Sequence, residues 1–100
     1  MKEKEFKQIT LQIQIDEQTA QGIYSNMVVA QHSPSEFILD FIFINPGQPA
    51  AKVRSRIILS PQHAKRLSKV LGENISHYEK QFGEIKIFEP PKPETSNTVQ

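Results

Sequence analysis

The chain has 100 residues, the length of one small domain, and its 12 basic and 11 acidic residues leave a net charge of +1. A charge so close to neutral gives no general attraction to nucleic acid or to an anionic membrane surface. The absence of cysteine excludes disulfides, thiolate catalysis and cysteine-based zinc sites. No apolar run approaches the ~20 residues that a membrane-spanning helix needs, and no signal-peptide pattern follows the charged N-terminus. We therefore expect a cytoplasmic protein with no membrane partner.

Composition divides the chain into three parts. Residues 1–7 form a charged lead-in, residues 8–88 carry the hydrophobic patterns of a single α+β domain, and residues 89–100 form a proline-containing tail. A polar, proline-rich segment cannot bury enough apolar surface to fold, so we expect the tail to be disordered.

Four strands are predicted in the domain. The first rests on strict alternation of apolar and polar residues, at Ile9, Leu11, Ile13 and Ile15. A polar turn or short helical piece follows at 16–22, and less regular alternation predicts the second strand over 23–31. The third and fourth strands are predicted over 36–44 and 51–59, after turns rich in proline, serine and asparagine.

The third strand is the most informative, because Phe37 to Ile44 is apolar on both faces except for Asp40. An antiparallel strand that is covered on one side alternates, whereas one that is apolar on both sides expects cover on both. A chain with one long helix can cover only one face of a small sheet. The other face therefore predicts a partner, most simply a second copy of the chain.

That helix is predicted after the fourth strand. Ser60 is a natural N-cap, Pro61 suits the first helical position, and Gly83 suits the C-terminal cap. One apolar stripe runs along the helix at steps of three and four, through Ala64, Leu67, Leu71, Ile75, Tyr78 and Phe82. We expect this stripe to pack on one face of the sheet.

The two faces of the sheet can be assigned if ordinary hairpins place odd-numbered residues opposite odd-numbered residues, and even-numbered residues opposite even-numbered ones. The face covered by the helix would then carry the odd-numbered apolar residues, such as Val29, Phe37 and Phe41. The other face would form the oligomer interface through Tyr24, Val28, Ile38, Ile42 and Ile44. It would also carry Asp40 and the basic residues of the fourth strand.

Asp40 would be costly to bury without a partner. Arg54 or Arg56 lies opposite it in the expected register, so we favour a structural ion pair over a catalytic role. No second carboxylate accompanies Asp40, and His32, His63 and His77 are too dispersed along the chain to share a metal. The sequence therefore predicts no catalytic residue, no metal and no cofactor.

A basic cluster supports an alternative. Its members are Lys52, Arg54, Arg56, Lys65 and Arg66. Such a cluster can follow a phosphate backbone, with Tyr24 as a stacking surface for bases. Acidic residues lie nearby at Glu73, Glu79 and Glu84, so we rank nucleic-acid binding second.

Several short motifs together resemble a family of small prokaryotic proteins known as a domain of unknown function (DUF three-four-six-seven). The matching segments are 22–26, 32–37 with Asp40 and Phe41, 55–61, 63–67, and 78–83 with Tyr78, Glu79, Phe82 and Gly83. The resemblance implies no activity. It makes Tyr24, Asn26, His32, Asp40, Arg56 and His63 the candidates for whatever the family does.

In architecture, strands followed by a long helix also resemble the protomer of the export chaperone SecB, by analogy only. We expect a four-stranded antiparallel meander with one C-terminal helix, forming a homodimer or a larger assembly. A non-enzymatic binding or scaffold protein, with unfolded or extended polypeptide as a candidate client, is the leading hypothesis. A small enzyme centred on Asp40, Arg56 and a histidine is the least favoured.

Overall fold

The computed structural model describes residues 10–88. The predicted lead-in 1–7, residues 8 and 9, and the predicted tail 89–100 lie outside the described residues. The elements in chain order are α1 (Glu17–Ala20), β1 (Met27–His32), β2 (Phe37–Phe43), β3 (Lys52–Leu59) and α2 (Pro61–Phe82). The strands form one antiparallel sheet in the order β1-β2-β3. The α+β class and the C-terminal helix are as predicted, but the described sheet has three strands instead of four.

The missing strand is the predicted first one. Residues 10–15, which we call the arm, adopt no regular secondary structure, and no ladder within residues 10–88 includes them. The apolar side chains of the arm lie in solvent, with exposed fractions of 77% for Leu11, 86% for Ile13 and 65% for Ile15. Alternation identifies residues suited to a strand, but the described part of the chain provides no partner strand for them.

The turn between β1 and β2 explains why the predicted assignment of residues to the two faces is wrong. The backbone N–H of Ser33 donates to the carbonyl of Glu36, so the hairpin closes around Pro34 and Ser35. This short loop places His32 opposite Phe37 and thereby pairs even residues of β1 with odd residues of β2. The Ser33 hydroxyl holds the turn by accepting from the backbone N–H groups of Ser35 and Glu36.

A bulge changes the second half of the pairing between β2 and β3. Phe41 lies opposite Ser55, but the next residue, Ile42, lies opposite Val53, so Arg54 is the additional residue. The turn before β3 is type II, with Pro46 at its second position and Gly47 at its third. Gly47 has a φ of +85°, which favours glycine at that position.

These registers define two faces of the sheet, which we call face A and face B. Face A contains Val28, Ala30, Phe37, Leu39, Phe41, Phe43, Ser55, Ile57 and Leu59. Face B contains Met27, Val29, Ile38, Asp40, Ile42, Val53, Arg56 and Ile58. Val28 therefore lies on the face opposite to Ile38 and Ile42, contrary to the prediction that the three share a surface.

The helix α2 begins and ends where its caps predict. The Ser60 hydroxyl accepts from the backbone N–H of His63 at 3.1 Å, and Pro61 occupies the first helical position. Gly83 follows the last turn with a φ of +100°, and its N–H donates to the carbonyl of Glu79. These local interactions fix both ends of the helix without help from the sheet.

The prediction that α2 covers one face of the sheet is wrong for the single chain. The helix leaves the sheet after β3 and contacts mainly that strand. Its stripe is correspondingly exposed, at Leu67, Leu71, Ile75, Tyr78 and Phe82. No apolar side chain among residues 10–88 is buried, and Asp40 is the sole buried residue among them.

Candidate interaction surfaces

The centre of face B is an ion pair. Asp40 is in the middle of the central strand, and Arg56 is its direct partner on β3. The Arg56 Nε donates to Asp40 Oδ1 at 2.7 Å, and a terminal guanidinium nitrogen donates to Oδ2 at 2.9 Å. Such a two-pronged pair is stronger and more directional than a single hydrogen bond between neutral groups. The structure thus places Arg56, and not Arg54, against Asp40.

The two members of this pair differ in exposure. Asp40 is 6% exposed as a residue, whereas the side chain of Arg56 is 56% exposed. The hydrogen bond from Arg56 lowers the pKa of Asp40, and its loss of water acts in the opposite direction with a smaller effect. The carboxylate is therefore ionised near neutral pH, and its charge is balanced by Arg56.

Apolar side chains surround the pair on all three strands. They are Ile38 and Ile42 on β2, Met27 and Val29 on β1, and Val53 and Ile58 on β3. Val53 and Ile58 are about half exposed, and the others are intermediate in exposure. Because its one charged pair is internally balanced, face B can contact another apolar surface without burying an uncompensated charge.

Three of the five residues predicted for the interface are not among the residues of face B. The Tyr24 ring packs edge-to-face on Phe43 of face A, with ring centroids 6.0 Å apart. Val28 lies on face A beside Phe41. Ile44 follows Phe43, the last residue of β2, and the side chain of Asn26 is hydrogen-bonded to the backbone of Ile44. The predicted interface set is therefore divided between the faces, and Ile38 and Ile42 are its members on face B.

Asn26 fastens the end of the hairpin, a role that the sequence did not reveal. Its side-chain amide donates to the carbonyl of Ile44 at 3.0 Å, and its side-chain oxygen accepts from the Ile44 N–H at 2.8 Å. Its own backbone N–H donates to the carbonyl of Ile42. The Asn26 side chain thus replaces the backbone of a paired strand residue. Apolar periodicity in the sequence does not reveal such a role, so Asn26 is only a polar residue of the segment 22–26 at that level.

The bulge also separates the basic residues of β3. The Arg54 guanidinium lies over the Phe43 ring at 5.7 Å, which is a cation–π distance on the side of face A. Arg56 belongs to face B and is engaged by Asp40. The predicted row of Lys52, Arg54 and Arg56 on one face is therefore not formed.

An open groove lies on face A beneath the segment that precedes β1. Its floor is formed by Phe41, Ser55 and Ile57, and its wall by the α1 region from Gln18 to Ile23. The groove measures about 780 Å³. Asp16 starts α1 by accepting from the Thr19 N–H at 2.7 Å. The connection to the arm thus passes over β2 and β3.

The candidate polar residues of the motifs have structural contacts. The His32 ring stacks on Phe37 at a centroid distance of 5.4 Å, and the backbone N–H of His63 serves the helix cap. Within residues 10–88 no three histidine, aspartate or glutamate side chains cluster so as to hold a metal ion. None of the described helices combines the length and the apolar character that crossing a membrane requires.

Comparison with known proteins identifies the family and nothing more specific. No curated protein matches the chain, and no solved structure matches it. The likeness to SecB is therefore an analogy of architecture and supports no argument. A family model described as "Protein of unknown function (DUF3467)" matches residues 1–87. The chain belongs to this family of proteins of unknown function.

Proposed function

We propose that the chain is a non-enzymatic, homo-oligomeric binding or scaffold protein whose copies cover one another's apolar surfaces. One observation carries the proposal, namely that no apolar side chain among residues 10–88 is buried. Ordering a chain costs ~1–2 kcal/mol per residue in backbone entropy. Burial of apolar surface offsets this cost at roughly 25 cal/mol per Å². A chain with so little burial gains the missing stabilisation by association.

Face B is the surface we assign to the contact between copies. The α1 region and residues of face A line one groove, and none of the residues that line it belongs to face B. A standard interface buries about 800 Å² on each partner. A second apolar surface, the stripe of α2, is available to extend the contact beyond the sheet.

Extended polypeptide is the client class that fits the remaining surface. The groove on face A has the apolar floor that alternate side chains of an extended segment would need. Its polar wall, from the α1 region, offers backbone and side-chain hydrogen-bonding groups. We place client binding on face A because the proposed contact between copies leaves that face accessible.

Nucleic-acid binding is the weaker alternative. It requires Lys52, Arg54, Arg56, Lys65 and Arg66 to form a continuous positive surface that follows a phosphate backbone. The bulge places Arg54 over Phe43, and Asp40 engages the donors of Arg56. The strand residues of the cluster therefore point to different surfaces, which favours the first proposal.

A binding experiment separates the two. A reduced and alkylated polypeptide that cannot fold, and an oligonucleotide carrying the same dye, are titrated with the protein while fluorescence anisotropy is recorded. We expect saturable binding of the polypeptide that persists at high salt and weakens when Phe41→Lys places a charge in the groove. Gln48→Lys, which adds the same charge in an exposed turn, is the control. Binding of the oligonucleotide alone, falling steeply with salt, would overturn the proposal in favour of the alternative.

A further inference from the structure

We propose that the arm of one copy is the fourth strand of the sheet in a second copy, where it pairs with the open edge of β1. The inference rests on the self-association proposed above and adds a contact through the sheet edge to the contact through face B. It also explains why the sequence predicts four strands while the described chain forms three.

The arm has the residue pattern of a strand, but none of the strands within residues 10–88 pairs with it. Leu11, Ile13 and Ile15 alternate with polar residues, and each is at least 65% exposed. No backbone group of residues 10–15 is hydrogen-bonded within the described part of the chain. Strand backbone in this condition is suited to pairing with an exposed sheet edge. The arm also equals β1 in length, since β1 has 6 residues.

The path of the chain directs the arm away from its own β1. The α1 region lines the groove together with Phe41 of β2 and with Ser55 and Ile57 of β3. It therefore lies over β2 and β3, whereas the open edge of β1 is on the opposite side of the sheet. Asp16 caps α1 and Gly22 turns the chain after it with a φ of +79°, so this connection has defined geometry. A second copy provides another open β1 edge, and we place the arm there.

The character of the two sheet edges selects β1 over β3. The outer strand β3 carries Lys52, Arg54 and Arg56 and contains a bulge. Charged residues and bulges are the features by which proteins protect an edge from pairing with another strand. The outer strand β1, Met27–His32, contains no lysine, arginine, aspartate, glutamate or proline. It is the unprotected edge of the described sheet.

The turn shows which backbone groups of β1 are available. Ser33 and Glu36 form a hydrogen-bonded pair, and such pairs alternate along an antiparallel ladder. The groups of Gln31 and Val29 therefore point to β2, and those of Ala30 and Val28 point to the open edge. Because both copies have an arm and a β1 edge, the exchange is reciprocal and closes as a symmetric dimer.

Hydrogen exchange with a proline variant tests the pairing. Ala30→Pro removes an N–H that points outward and leaves the pairing with β2 intact, since proline is compatible with a free edge. Ala30→Ser keeps the N–H and is the control. We expect the amides of residues 10–15 to be protected in the wild type and in Ala30→Ser, and to lose that protection in Ala30→Pro. Unprotected arm amides in an associated wild type would overturn strand exchange and leave self-association standing.

Cross-linking shows whether the pairing is between copies, and it does not depend on how Ala30→Pro folds. The chain has no cysteine, so Ile13→Cys in a tagged copy and Ala30→Cys in an untagged copy each supply one thiol. After co-refolding and treatment with a short bismaleimide, we expect a product that contains both chains. Replacing Ala30→Cys by Glu73→Cys, on α2, should abolish it.

The same reagent distinguishes a strand that pairs within its own chain. A chain carrying both Ile13→Cys and Ala30→Cys is diluted into excess wild type before cross-linking. Intramolecular cross-linking under these conditions would overturn the exchange between copies. A wild type that is monomeric throughout would remove both this inference and the proposed function.

Discussion

Asp40 and Arg56 form an ion pair in which the carboxylate is buried and the guanidinium is partly exposed. The carboxylate lies in the middle of an apolar face, and both of its oxygens accept from the same guanidinium. Removing Arg56 would leave the buried Asp40 carboxylate without compensation, which is more costly than removing both partners. We therefore interpret the pair as a structural element of face B that sets the relative alignment of β2 and β3.

The lowered pKa of Asp40 predicts a pH dependence. A carboxyl group whose pKa is lower in the folded state stabilises the fold above its ordinary pKa, near 3.8, and this contribution disappears as pH falls through the folded-state value. We expect wild-type stability to fall below about pH 4. Asp40→Asn should be less stable at neutral pH and should show a smaller loss on acidification, as measured by urea midpoints across this range.

Asp16 supplies the control for that measurement, because its pKa is also lowered, by the hydrogen bond from Thr19. Asp16→Asn removes a second titrating group while retaining a residue that can cap α1. It should diminish the acid-dependent loss without altering face B. An Asp40→Asn protein with the full wild-type pH profile and unchanged neutral stability would show that the ion pair does not support the fold.

At the scale of elements, α2 is an amphipathic helix whose apolar stripe has no partner within the described chain. Tyr78 and Phe82 contact each other along the stripe, with ring centroids 4.9 Å apart, but both remain at least half exposed. A helix gains most of its stability from packing of its apolar face. We therefore expect the stripe to be covered when copies associate.

Two adjacent residues of α2 allow a matched test. Leu71 lies on the stripe and Val70 lies off it, and their exposed fractions are 54% and 55%. Leu71→Lys should weaken the assembly by up to the ~1.5–3 kcal/mol that burial of a leucine side chain contributes, whereas Val70→Lys should have little effect. Dissociation constants from sedimentation, with helix content from circular dichroism, provide the measurement. Equal effects of the two substitutions would contradict a role for the stripe.

The elements differ in how well the sequence predicts them. Both ends of helix α2 are predictable because Ser60, Pro61 and Gly83 act locally, within one turn of the chain. The two faces of the sheet are not predictable in the same way. Which residues share a face depends on where the hairpin closes at Ser33 and on a bulge at Arg54, and neither feature has a periodic signal. A single position in either place transfers a whole strand to the other face.

The candidate surfaces show the same division. The sequence identified Asp40 as a residue in need of an arginine, since an acid in an apolar strand requires a partner. It did not distinguish Arg56 from Arg54, because that choice depends on the bulge. The arm shows a further limit, as alternation reveals which residues can form a strand but not which strand they pair with. Pairing is a property of tertiary or quaternary structure.

For the whole molecule, the exposure of apolar side chains in the described chain supports our proposal that the unit that folds is larger than one copy. The arm, face B and the stripe of α2 are apolar surfaces on three different parts of the protomer. When folding is coupled to association, the stability of a protein depends on its concentration. We therefore expect the stable form of this protein to be a homo-oligomer held together through face B.

Absolute mass in solution, measured by light scattering coupled to size exclusion, tests that claim most directly. The wild type should have at least twice the protomer mass of 11.4 kDa. Ile42→Lys, which places a charge on face B, should lower the mass towards that of one chain, while Gln48→Lys in the exposed turn should not. A wild type that is a folded monomer, or an oligomer that Ile42→Lys leaves intact, would contradict the assignment of face B as the interface.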